Sequence, residues 1–213
     1  MAHETRDARF SWITGGNTPL TAQPWDIEVL GNAEFAVVPS MGSLVPGWLL
    51  AVPRAAKLNL SGLSVAHRMS LSRLIDQAST ALKGLPGEVY CFEHGSVRRG
   101  SLAGCGVDQA HLHIVPLEFD LVAAAKLDGN IDWADLDAKN DPLTQLPKDG
   151  EYIAIWRRSD GVGLVGKPQE PTSQWVRRVI AHSLGASEEW NYRTHPQNLN
   201  VQATLAVLKA LEI

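Results

Sequence analysis

His111 and His113 stand one residue apart in DQAHLHIVPLEFD, residues 108–120, among apolar neighbours. In an extended strand, residues two apart share a face. Gln109, His111 and His113 are therefore expected to project together, while Ala110, Leu112 and Ile114 turn into a core. Three hydrogen-bonding side chains in an apolar strand each need a partner. Structural histidines satisfied by the core are the plainest account. Nucleophilic catalysis is a second, because a neutral imidazole attacks phosphorus if its tautomer is fixed, donors receive the non-bridging oxygens and the leaving group gains a proton. Metal binding is a third, with His111, His113 and Glu118 offering two imidazoles and a carboxylate to zinc, iron or manganese. That spacing resembles the cupin metal motif, but a cupin is built from short strands in series and this chain shows a long helical pattern upstream.

The elements around the pair follow from periodicity. EFAVVPS (34–40) and GWLLAVP (47–53) are compact apolar runs joined by turn chemistry in SMGSLVPG, which predicts an antiparallel pair. Leu71, Leu74, Ile75, Ala78 and Leu82 recur at three- and four-residue steps, which predicts an amphipathic helix over 64–83 ending at Gly84 and Pro86. GEVYCFEHG (87–95) and AHLHIVPL (110–117) are expected strands, separated by the glycine-bearing loop SVRRGSLAGCG (96–106), whose backbone N–H groups could form an anion nest. The order is that of an α+β unit, an antiparallel sheet with a long helix packed on one face. Beyond residue 120 the expectations are a short helix at DLVAAAKL, a polar connector at 135–150, a strand at EYIAIW, a helix at 174–184 and a C-terminal helix. Residues 1–120 are assigned to the core domain and 121–213 to a C-terminal extension packed on it or on a dimer seam.

The chain has 213 residues, a formal charge of −4, 45% hydrophobic residues and two cysteines without a CxxC. The charge argues against a nucleic-acid partner. The polar N-terminus and short apolar runs argue against a signal peptide and a membrane partner. Sparse cysteine use fits a reducing, cytoplasmic setting.

GCGVDQAHLHIVP resembles the signature of the histidine-triad (HIT) superfamily, aligned on Gly104, Val107 and Pro116. His111 takes the middle-histidine place, His113 the last, and Gln109 the first. FAVVPSMGSLVPGWLLAVPR (35–54) resembles the strand–turn–strand of HIT hydrolases, and FEHG (92–95) with Gly104–Cys105 resembles the galactose-1-phosphate uridylyltransferase branch. The resemblance spans roughly 34–118. It implies a HIT-like nucleotide-binding fold, a homodimer, a nucleotide or dinucleotide substrate, no cofactor, and cleavage at an α-phosphate through a nucleotidyl-histidine. His111 would be the nucleophile, oriented by the backbone carbonyl of Gln109, and His113 would contact the phosphate. Gly104, Cys105 and Gly106 would lie along the phosphate loop, with Ser40 near the ribose place. Phe35 and Trp48 are candidates to stack on a base, and His94 to reach the phosphate.

The chain departs from the family pattern at Trp48, at Ala56 and at Gly106, where His, His and Ser or Thr are common. The departures at Trp48 and Ala56, with Gln109 in the first-histidine place, make a nucleotide-binding module with weakened catalysis the alternative. In SQWVRR, Ser173 is expected to N-cap a helix whose N-terminus favours phosphate, and Arg177 either to reach an anion or, the plainer reading, to lie exposed. WNYRTHP (190–196) is placed over the pocket or the dimer seam.

Overall fold

The computed structural model describes residues 8–15, 23–103, 105–170 and 172–210. It is an α+β fold built on one antiparallel sheet of eight strands. The strands are β1 (Leu30–Gly31), β2 (Phe35–Pro39), β3 (Leu49–Pro53), β4 (Glu88–Gly95), β5 (Leu112–Leu117), β6 (Ile131–Asp137), β7 (Tyr152–Arg157) and β8 (Val162–Pro168). Their order across the sheet is β1-β2-β3-β5-β4-β7-β8-β6. The expected hairpin forms, with Phe35 opposite Pro53 and Pro39 opposite Leu49. Every residue of β2, β3 and β5 is buried. Continuous apolar runs rather than alternation encode these strands because both faces of the sheet are covered.

One face is covered by α2 (Val65–Ala81), which buries Leu71, Leu74, Ile75, Ala78 and Ala81. The Ser64 side chain accepts the His67 N–H and caps its start. Phe35, Leu49, Ala51, Cys91, Leu112 and Ile114 pack beneath it. The opposite face carries Ala36, Val38, Trp48, Leu50, Phe92 and Val115, in one cluster with residues of α1 (Ser11–Gly15), α3 (Leu121–Lys126) and α4 (Trp175–Ser183). The last helix, α5 (Asn198–Lys209), packs against β2, and its buried Thr204 accepts the Gly47 N–H at 2.7 Å.

The sheet runs without interruption from β4 into β7, with Phe92 opposite Ile155. Residues after 120 thus supply β6, β7 and β8 as well as helices. Two of those strands depart from the sequence expectation. The segment 135–150 is not wholly a connector: it begins inside β6, and its Leu143 and Leu146 are buried in the α2-side core. Strand β8 was hidden by its glycines. A Cβ at Gly163 would meet the Ile155 carbonyl and the Trp156 side chain, and one at Gly166 the Trp133 ring, so close packing demands the residue that signals a loop. Among the described residues, no helix is long and apolar enough to cross a membrane.

Candidate functional site

Strand β5 lies between β3 and β4, and its register sets His113 opposite Leu50 on one side and Phe92 on the other. His113 therefore sits on the face away from α2. The Phe92 ring stacks on it at 4.1 Å with planes 8° apart. Trp48 Nε1 donates to His113 Nδ1 at 2.9 Å. An indole nitrogen only donates, so Nδ1 accepts and the neutral ring carries its proton on Nε2. That Nε2 is buried and has no hydrogen-bond partner among the described residues.

His111 precedes the strand proper, which begins at Leu112. Its Nδ1 lies 2.9 Å from the Gln109 carbonyl oxygen. A carbonyl only accepts, so the proton resides on Nδ1 and Nε2 is left as the basic nitrogen. Burial holds His111 down to about 4 and His113 well below its ordinary value, so both are neutral at neutral pH. The two rings are 4.9 Å apart.

Both histidines line a cavity with a water-accessible volume of about 30 Å³. Ser40, Cys105, Arg9, Phe10, Arg177 and Tyr192 also line it, and among the described residues no lining residue is acidic. Phe10 packs on His111 with ring centres 5.6 Å apart. Arg9 Nη1 pairs with Asp26 at 2.6 Å, while its Nη2 is buried without a partner among the described residues. Arg177, on α4, is 2% exposed. Its Nε donates to the Trp190 carbonyl at 3.0 Å, its Nη2 donates to the Gly42 carbonyl, and the guanidinium lies 4.6 Å from the Trp48 ring centre. No carboxylate among the described residues pairs with it.

Gly42 is built for that contact. Its φ is +73°, and a Cβ would meet the Tyr192 backbone and Arg177 Nη2 at 2.8 Å or closer. Tyr192 in turn donates from its hydroxyl to the Cys105 carbonyl at 3.2 Å, and Arg193 donates to the Gly106 carbonyl at 3.1 Å. The WNYRTHP segment therefore folds back over the histidine loop within the chain.

The residues expected at the site divide three ways. His111, His113, Ser40 and Cys105 come together at the cavity. Burial pushes the Cys105 thiol up to about 12, so it is not a ready nucleophile. Gln109, Trp48 and His94 act one step back. The Gln109 side chain does not share the histidine face: it donates to the carbonyls of Pro53 and Ala55 and accepts the Lys57 N–H, tying the loop after β3 to the residue whose own carbonyl orients His111. Trp48 is fully buried between Arg177 and His113, which leaves no face for a base. His94 is neither exposed nor at the cavity: its Nε2 accepts the Val176 N–H at 3.2 Å, satisfying an orphan donor in the first turn of α4.

Phe35, Gly106 and Glu118 do not reach the site. Phe35 belongs to the core beneath α2, on the other face of the sheet. Gly106, at φ +78°, sits behind Cys105 with its carbonyl on Arg193. Glu118 lies beyond the end of β5 and is exposed, so the structure does not assemble the His-x-His/Glu metal set. Gly104 falls outside the described residues. Ser173 does not cap α4 either; Gln174 does, in a left-handed conformation without a side-chain cap.

Arg9 is the residue that sequence reasoning missed, and Arg177, weighed as an anion contact, was set aside as exposed. Arg177 was expected in solvent, yet it falls on the buried stripe of α4 with Val176, Ile180 and Ala181. That stripe was the available signal. Arg9 carried none, because only the chain's return to β5 sets it beside His111.

No known family's model matches the chain, and no curated protein is significantly similar to it.

Proposed function

We propose that the chain is a HIT-like nucleotide phosphohydrolase or nucleotidyltransferase, acting at an α-phosphate through a covalent nucleotidyl-histidine on His111. The observation that carries this is the hydrogen bond from His111 Nδ1 to the Gln109 carbonyl, in a ring that lines a cavity with no carboxylate among its described residues. It leaves Nε2 with a free lone pair, the state a nucleophilic imidazole needs. A carbonyl supplies this orientation whatever the side chain at 109, so Gln109 in the first-histidine place is compatible with the chemistry. In the reaction, Nε2 attacks the α-phosphorus and the bond to the leaving oxygen breaks with its electron pair. Water or another acceptor then displaces the nucleotidyl group and restores the neutral ring. His113, protonated on Nε2, donates to a non-bridging oxygen as charge develops there.

The resemblance in residues 34–118 supplies the substrate class and the homodimer that form part of this proposal. The test is chemical rescue. His111→Gly should lose hydrolysis of a nucleoside phosphoramidate or dinucleoside polyphosphate, and added imidazole should restore it. Turnover at the wild-type rate in His111→Gly without imidazole overturns the assignment.

The alternative, a nucleotide-binding module with weakened catalysis, has one observation in its favour. The donor that ties down His113 is Trp48, at a place where the family commonly carries histidine. Tight nucleotide binding with no turnover and no rescue selects this alternative.

A further inference from the structure

Arg177 presents an electrostatic problem that the described residues do not solve. A guanidinium removed from water is costly unless a counter-charge accompanies it. Burial pushes Arg177 down to about 10, so it still carries its charge at neutral pH. Two carbonyls and the Trp48 ring hold it in place, but none of these neutralises it. The Nε and Nη2 bonds occupy two of its five N–H groups.

Two further donors on residues lining the same cavity are buried without a partner among the described residues, Nε2 of His113, itself 3% exposed, and Nη2 of Arg9. Hydrogen-bond donors therefore collect here from three distant segments: the start of the described chain, β5 and α4. Among the described residues, acceptors of matching charge, apart from Asp26 on Arg9, do not. Donors from three directions suit a tetrahedral oxyanion, which offers an acceptor oxygen to each, better than a planar carboxylate with two oxygens.

We propose that Arg177, Arg9 and His113 form the receptor for the phosphoryl group of a phosphate ester, with the ligand itself supplying the missing negative charge. Arg177 is the principal anchor. Arg9, already paired with Asp26, contributes mainly its free Nη2 donor. The cavity is small, so the phosphoryl group is the part of the ligand assigned to it. This rests on the site's being a phosphate site but not on a covalent step at His111.

The test is calorimetric titration with orthophosphate and with AMP, acetate serving as the planar control, on the wild-type chain and on Arg177→Gln, Arg9→Gln and His111→Ala. Wild type should bind orthophosphate and AMP and not acetate. Arg177→Gln should weaken both by tenfold or more, and Arg9→Gln by a few-fold, while His111→Ala keeps its affinity for orthophosphate. Should Arg177→Gln fail to fold, Arg9→Gln decides alone. Unchanged affinity in the folded arginine variants, acetate binding as tightly as orthophosphate, or no anion binding by wild type overturns the proposal. Loss of turnover in His111→Ala with orthophosphate affinity intact upholds the receptor and the nucleophile together. Turnover intact in His111→Ala, with weakened anion binding in the arginine variants, removes the nucleophile and leaves the receptor standing.

Discussion

The two faces of the sheet bury ionisable groups on opposite terms. Beneath α2, Glu93 is 1% exposed and both its oxygens are engaged, one by the Tyr152 hydroxyl at 2.6 Å and one by the Leu60 N–H at 2.8 Å. Burial lifts it to about 7, and its donors belong to the fold. On the other face Arg177 carries a charge that no carboxylate among the described residues meets, and Nε2 of His113 and Nη2 of Arg9 are N–H donors that the described residues leave unanswered. A buried polar group that is fully partnered holds a fold together. One held rigid yet left short of partners marks a place where something else binds.

The contrast can be broken most strongly at the nucleophile. His111→Ala should lower nucleotide turnover by about 10³-fold or more and change stability little, as measured by steady-state rates beside a urea melt. Leu74→Ala makes the opposite cut. It empties part of the α2-side core, where Leu74 is 1% exposed, and should cost about 2–5 kcal/mol of stability. AMP affinity, measured below the melt, should stay unchanged. A large loss of affinity in Leu74→Ala would show that the two faces are not separable.

Trp48→Phe is a smaller change on the histidine face. It removes the donor to His113 Nδ1 and should cost about 1–3 kcal/mol. It should also release the His113 tautomer, which nitrogen-detected NMR of the ring reads directly.

The weakest effect is on pH. His111 titrates at about 4 and His94 at about 3 in the folded chain, and His113 well below its ordinary 6.5, because burial disfavours imidazolium. Below 6.5 the unfolded chain therefore binds protons that the folded chain refuses, so this stability is full above about 6.5 and drains away as the pH falls. Glu93 has the opposite sign. Raised from 4.5 to about 7, its contribution is full below 4.5 and lost as the pH rises through 7. Three histidines outweigh one carboxyl, so the urea midpoint should fall between pH 6.5 and 4.5, and Glu93→Gln should steepen that fall.

What the sequence made legible follows the same division. The α2 face is written in local periodicity, because Leu71, Leu74, Ile75 and Ala78 contact the sheet as a helical stripe and EFAVVPS and GWLLAVP are strands at first sight. The histidine pair was legible because its chemistry and spacing are local. The cations that surround it were not, since Arg9 and Arg177 lie more than sixty residues from His113 in opposite directions and meet it only through the sheet order. Gln109 misled by parity: it precedes the start of β5, so strand alternation does not govern it, and its amide serves the loop after β3 while its carbonyl serves His111. Strand β8 was lost to Gly163 and Gly166, which the tryptophans beside them require.

The measurement closest to the central claim is intact-protein mass spectrometry after brief mixing with nucleotides and dinucleoside polyphosphates, quenched at alkaline pH to preserve a phosphoramidate. The account predicts an added mass of one nucleoside monophosphate in the wild-type chain and none in His111→Ala. An adduct of equal yield in His111→Ala, or no adduct and no turnover across the panel, would contradict it.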